Sequence, residues 1–177
     1  MDNAAYLFLS QKGVLDTIPA PSQGNQVMIE STVYAIALGD AQIITVPGEL
    51  FPEVYYGVVA HHRTDCPEAD TGRPKEVSVR NRMKSKYKFV FGLCPDEFGY
   101  IVPGYDSLKP KLDIAKGNLE EAEDPCKSSH VPDHYHETNS ASSNLAPIWS
   151  CVAATLLDGK APDEPVCRAV QQYLSPR

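Results

Sequence analysis

Four oxygen-bearing side chains stand just past two strand-like runs. Glu49 follows IITVPG, and Asp96, Glu97 and Tyr100 follow YKFVFGLCP. Carboxylates and a phenol can ligate a metal ion, and a carboxylate can also act as general base. The end of a strand beside a helix start is exposed and rigidly held, a position that often carries function in α/β proteins. The local alternative for Glu49 is that an acid there complements the helix N-terminus. A second group is HVPDHYH, with His130, His134 and His136. His134 and His136 can chelate from an extended segment, while Pro132 keeps all three from sharing one helix. The alternative there is a solvated or hydrogen-bonded loop. His61 and His62 read as complements of a helix C-terminus.

The elements around these residues predict how they meet. A strand over 41–46 and the PG turn lead into a helix over 50–62, with Phe51, Val54, Tyr55, Val58, Val59 and His62 at helical spacing. A strand over 87–93 follows a polar connection, 64–85. If these form one βαβ unit, the two strands are parallel and end at one edge of the sheet. Glu49, Asp96, Glu97 and Tyr100 then gather on that edge. Upstream, a run over 27–38 and the Gly39-Asp40 turn make a hairpin with 41–46. Residues 4–15 read as a helix and 16–26 as a loop. Residues 100–106 read as a loop or short strand, 109–118 as weakly amphipathic, and 119–124 as a solvated acidic stretch. Residues 125–143 read as a polar loop. A helix capped by Asn144 carries Leu145, Ile148, Trp149, Val152 and Leu156 in one stripe and stops at Gly159. A last helix spans about 163–174.

The chain has 177 residues, 42% hydrophobic and 22% charged, enough for one domain with a core. A net charge of −7 argues against nucleic acid, since there is no basic surface to neutralise phosphates. The basic run over 80–88 reads as a solvated loop. No apolar run reaches the roughly 20 residues of a membrane helix, and the first residues lack the basic start of a signal peptide. There is no G-x-S-x-G, P-loop or G-x-G-x-x-G sequence. Five cysteines without a C-x-x-C pair leave two readings open, disulfides or scattered buried thiols. The former favours an extracellular or periplasmic setting. Cys151 and Cys167 flank the turn between the last two helices and are the pair most easily joined.

Three motifs in order resemble the neutral/alkaline (non-lysosomal) ceramidase family: VPGELFPE at 46–53, GLCPDEFGYIVPGYD at 92–106 and YHETNSASSNLAP at 135–147. The opening MDNAAYLFLSQKGVL is also similar to a segment of that catalytic domain. The likeness runs over about 1–157 and matches the last third of the domain. It implies hydrolysis of a lipid amide by one zinc, held by two histidines, a glutamate and a tyrosine. Glu49 and Tyr100 stand at the glutamate and tyrosine positions. Tyr135, Glu137 and Asn139 stand where the pocket is shaped, and Glu97 is an alternative oxygen ligand or a general base. Pro95-Asp96-Glu97-Phe98 departs from the Asn and Tyr of better-known members, which implies a different pocket. The family's histidine ligands lie upstream, and no histidine precedes Glu49 here.

The sequence therefore reads as a single α/β domain over 1–177. It has a mixed sheet, a β-hairpin feeding a βαβ unit, and helices packed on it. The resemblance makes it the C-terminal portion of a larger layered zinc hydrolase, with Met1 internal and an N-terminal portion supplying the remaining ligands. Two rivals stand beside this reading. One is a non-catalytic binding or structural domain on the same fold. The other is a hydrolase of a non-lipid amide or ester.

Overall fold

The computed structural model describes residues 18–19, 27–28, 30–59, 73–106, 111–113, 118–120 and 140–171. In chain order the strands are β1 (Ile18–Pro19), β2 (Val27–Met28), β3 (Ala35–Leu38), β4 (Ala41–Thr45) and β5 (Glu49–Leu50). Helices α1 (Pro52–Tyr56) and α2 (Val79–Arg82) follow, then β6 (Tyr87–Phe91) and β7 (Tyr100–Ile101). A 3-10 turn (Gly104–Asp106), β8 (Lys111–Asp113), β9 (Asn118–Glu120), α3 (Leu145–Asp158) and α4 (Pro165–Ala169) complete the order.

The fold is α/β with a small mixed sheet. β3 and β4 form the expected antiparallel hairpin, Leu38 opposite Ala41 across the Gly39-Asp40 turn. β4 then pairs in parallel with β6, from Ala41 opposite Tyr87 to Thr45 opposite Phe91. The order β3-β4-β6 places β4 in the middle. The crossover between β4 and β6 carries α1 and α2, so the βαβ unit read from the sequence is present. β1 with β2, and β8 with β9, form separate antiparallel pairs.

One face of the sheet is covered by α3. Ile44, Val46, Val54, Val79, Met83, Ile101, Ala146, Trp149 and Ala153 form a buried cluster between sheet and helices. Burial of the Ile, Val and Met side chains among them contributes roughly 1.5–3 kcal/mol each. The buried Trp149 indole N–H donates to the Thr45 carbonyl at 2.9 Å and fixes α3 over β4. A second cluster joins α3 to α4, where Cys151 and Cys167 form a disulfide among Val77, Ala154, Val166 and Val170. The Arg82 guanidinium bridges Asp158 at the end of α3 and Glu164 ahead of α4.

Several boundaries differ from the expected ones. The helix expected over 50–62 ends at Tyr56, where Gly57 takes φ 64° as its C-cap. A Cβ at Gly57 would lie 2.6 Å from the Ser78 nitrogen, so the chain turns there because only glycine permits both the angle and the approach. The helix has thus ended before His61 and His62, which lie outside the described residues. The run over 27–38 is broken into β2 and β3. Around Ser31 the side chain makes a bond instead, its hydroxyl donating to Asp96 at 2.5 Å. β6 stops at Phe91, and Leu93 has a left-handed φ of 54°. The connection over 64–85 contains α2, whose N-cap Ser78 accepts from the Asn81 N–H. The stretch 109–124 includes β8 and β9.

The end of the chain also differs. Asn144 makes no side-chain cap bond to α3; the Ser142 hydroxyl instead accepts from the Asn144 N–H. Leu156 is exposed, and the helix buries its small residues Ala146, Ala153 and Ala154 with Trp149 and Cys151. Small side chains let α3 lie close to the sheet. Of the last helix expected over 163–174, α4 spans Pro165–Ala169 with Val170 as its C-cap, and 172–174 lie outside the described residues. The expected helix over 4–15 lies outside the described residues. Among the described residues, no helix is long and apolar enough to cross a membrane.

Candidate functional site

The site begins with a close crossing of two chains beyond the C-terminal ends of β4 and β6. The Pro47 and Gly48 carbonyls accept from the Phe98 and Leu93 N–H groups at 3.0 and 3.1 Å, and the Val46 carbonyl accepts from Cys94 at 2.9 Å. The three bonds hold both arms of the 92–99 loop against the PG turn. A Cβ on Gly48 would come within 2.3 Å of the Gly99 carbonyl oxygen, so no larger residue fits without moving backbone.

After that crossing the parallel ladder resumes. β5 pairs with β7, Glu49 directly opposite Tyr100 and Leu50 opposite Ile101. The Glu49 N–H donates to the Gly99 carbonyl at 2.9 Å and the Phe51 N–H to the Ile101 carbonyl at 3.3 Å. Ile101 is fully buried and Leu50 packs against the same cluster. Side chains alternate along a strand, so Glu49 and Tyr100 emerge on the other face, side by side on strands about 4.8 Å apart. Glu49 is exposed and Tyr100 half-buried. The Tyr100 ring meets Phe51 edge-on, centroids 6.2 Å apart and planes at 85°. That contact orients the phenol.

The third motif joins the same ribbon. Ser140 bridges Gly99 in antiparallel fashion, and the Ala141 N–H donates to the Phe98 carbonyl at 3.1 Å. The 98–101 segment is therefore flanked by 49–51 on one side and 140–141 on the other. Tyr135, Glu137 and Asn139 lie outside the described residues, as do His130, His134 and His136. Asp96 is held by Ser31. Glu97 is exposed, and its Oε1 accepts from the Gly99 N–H at 2.7 Å, closing the turn that delivers Tyr100.

A zinc of the kind the resemblance implies needs three or four ligands. Glu49 and Tyr100 are oxygen donors side by side in register, the residue types that two of those positions would take. Among the described residues no group of three or more His, Cys, Asp or Glu is arranged to hold a metal ion. The remaining ligands would come from outside the described residues.

A buried carboxyl that the sequence reading passed over lies near this ribbon. Glu76 is 2% exposed. Its Oε1 accepts from the Gly104 N–H at 2.7 Å, and its Oε2 is buried without a hydrogen-bond partner. Burial pushes the Glu76 carboxyl above the usual range, while the Gly104 N–H, its own backbone N–H and Arg73 pull the other way. Arg73 also donates to the Ser143 carbonyl at 3.2 Å, so this corner braces the segment after β7 against the start of α3. In sequence, Glu76 sits in RPKEV between a lysine and a valine, with no periodicity to mark it as buried. Comparison with protein-family models, curated proteins and solved structures finds no match to this chain.

Proposed function

We propose that the chain is part of a zinc-dependent hydrolase resembling the neutral/alkaline ceramidases, acting on the amide bond of an N-acyl sphingoid or related lipid. One observation supports this reading above the others. The three sequence motifs that carry the resemblance lie side by side, as Gly48-Glu49, Gly99-Tyr100 and Ser140-Ala141. Glu49 and Tyr100 are the proposed metal ligands, and the histidine ligands would come from an upstream portion of a longer chain. A zinc so held would supply a water of lowered pKa. Glu49 would bring a negative charge to the ion, and Tyr100, steadied by Phe51, a second oxygen. Glu97 is proposed as a proton acceptor through the oxygen not committed to the turn. Tyr135, Glu137 and Asn139 are proposed to shape the acyl pocket. The Cys151–Cys167 disulfide supports an extracellular or periplasmic setting.

The test is zinc titration and N-acyl sphingosine hydrolysis with protein that includes the upstream region. Glu49→Gln and Tyr100→Phe should each weaken zinc binding at least tenfold and abolish turnover with the fold intact. Zinc binding and turnover unchanged in both variants would sink the assignment. Turnover of a water-soluble N-acyl amide but not the lipid would move the substrate class. A folded protein with neither zinc nor turnover would leave a binding domain.

A further inference from the structure

Among the described residues, the three-stranded sheet is covered by α3 on one face only. The other face presents Tyr87, Phe89 and Phe91 of β6, Ile43 of β4, and Ile36 and Leu38 of β3. The register aligns them in rows, with Leu38, Ala41 and Tyr87 in one and Ile36, Ile43 and Phe89 in the next. No charged side chain interrupts the rows. Phe89 is 46% exposed, Phe91 50% and Leu38 72%. A sheet face left to water normally alternates to polar residues, and a parallel pair such as β4 with β6 is nearly always covered on both faces. Around half of these large side chains, on the order of 600 Å² in each copy, is open, at or above the largest apolar patch of a typical monomer.

The rim has a polarity along the strands. Lys84 and Lys86 are exposed where β6 begins, together with one acid, Asp40, whose carbonyl accepts the Tyr87 N–H, so this end carries a net positive charge; the Lys86 ammonium lies 5.1 Å from the Tyr87 ring centroid. Glu49 and Glu97 are exposed beyond the opposite ends of the strands. Two copies stacked face to face about a two-fold axis across the strands would run antiparallel. Each basic end would then meet the acidic end of its partner. Two such faces would bury about 1,200 Å², the lower bound of a specific interface.

We propose that this face is the interface of a two-fold symmetric dimer of the chain, sheet against sheet, with Phe89 near its centre and Lys84 and Lys86 opposite the partner's acidic edge. Glu49 and Glu97 of that edge also belong to the proposed zinc site, but association and zinc binding are read by separate measurements, so failure of one is distinguishable from failure of the other.

Sedimentation velocity of the full chain from about 1 to about 200 μM should show a reversible monomer–dimer equilibrium. Hydroxyl-radical labelling of Tyr87, Phe89 and Phe91 should fall as the dimer forms. Phe89→Lys should weaken association at least tenfold, and Ile36→Lys serves in its place if that variant loses its native circular dichroism. Lys84→Glu with Lys86→Glu should weaken it several-fold at low salt and less at high salt. Leu156→Lys, at an exposed apolar position on α3, should leave it unchanged. A monomer at every concentration would overturn the proposal, whether the face is labelled, and so bare, or protected by another part of the chain. A dimer equally tight in Phe89→Lys and Ile36→Lys would overturn it too.

Discussion

Gly48 lies directly beneath the carbonyl of Gly99: a single added methyl would come 2.3 Å from that oxygen. The same carbonyl accepts the Glu49 N–H, so the contact and the β5–β7 pairing are one feature. Gly48→Ala must therefore push the 98–101 segment away from Glu49. The expected cost is roughly 2–3 kcal/mol in urea unfolding, typical of forced overpacking. Gly92→Ala, whose Cβ would meet the Gly48 carbonyl at 3.2 Å, should cost clearly less. Equal effects would show that the crossing is not tight.

Glu76 predicts a pH dependence of known sign. Its carboxyl is raised in the folded state by burial, so the ionised form is disfavoured there relative to the unfolded chain. Its favourable contribution is complete below the unfolded pKa and is lost as pH rises through the folded value. Glu76→Gln keeps an acceptor for the Gly104 N–H and cannot ionise. The variant should match the parent near pH 4 and exceed it at pH 8 in chemical denaturation. A variant that is less stable at pH 8 would mean that the charged form is favoured by partners such as Arg73.

The disulfide joins residues 16 apart at the α3–α4 turn. Closing a loop of that size limits the unfolded chain and contributes about 3 kcal/mol. Both cysteines are fully buried, so the Cys151→Ala, Cys167→Ala protein also loses packing around Val77 and Val166. The double variant should lose at least about 3 kcal/mol under non-reducing conditions. A loss below about 1 kcal/mol would show that the α4 region contributes little to the cooperative unit.

Trp149→Phe removes one buried donor and leaves the Thr45 carbonyl without it. An unsatisfied buried acceptor costs about 1–3 kcal/mol, with a further penalty for lost volume. The expected loss is about 2–4 kcal/mol, with near-ultraviolet circular dichroism reporting loosened packing of α3 on β4. A change under 0.5 kcal/mol would mean that water replaces the indole.

What the sequence determined by itself was local and periodic. The Gly39-Asp40 turn between two apolar runs signals a hairpin, and a helical segment between β4 and β6 is the connection a parallel pair needs; the structure has both. Parallel strands end together, which placed Glu49 and Tyr100 at one edge before any geometry was known. The short spacing of Cys151 and Cys167 across a helical turn likewise made their pairing legible. Tertiary structure decided what depends on distant backbone. Gly57 ends α1 because Ser78 packs against it, and Ser140 joins Gly99 through a bridge that no local pattern encodes. The same holds for which sheet face α3 covers. Both faces of β4 and β6 carry apolar residues, so alternation alone does not choose. The indole bond to Thr45 places α3 over Ile44 and Val90, and leaves Phe89 and its neighbours open. Burial of Glu76 is of the same kind. A carboxyl is held in the interior only when a third element, here Gly104 after β7, closes over it with a donor.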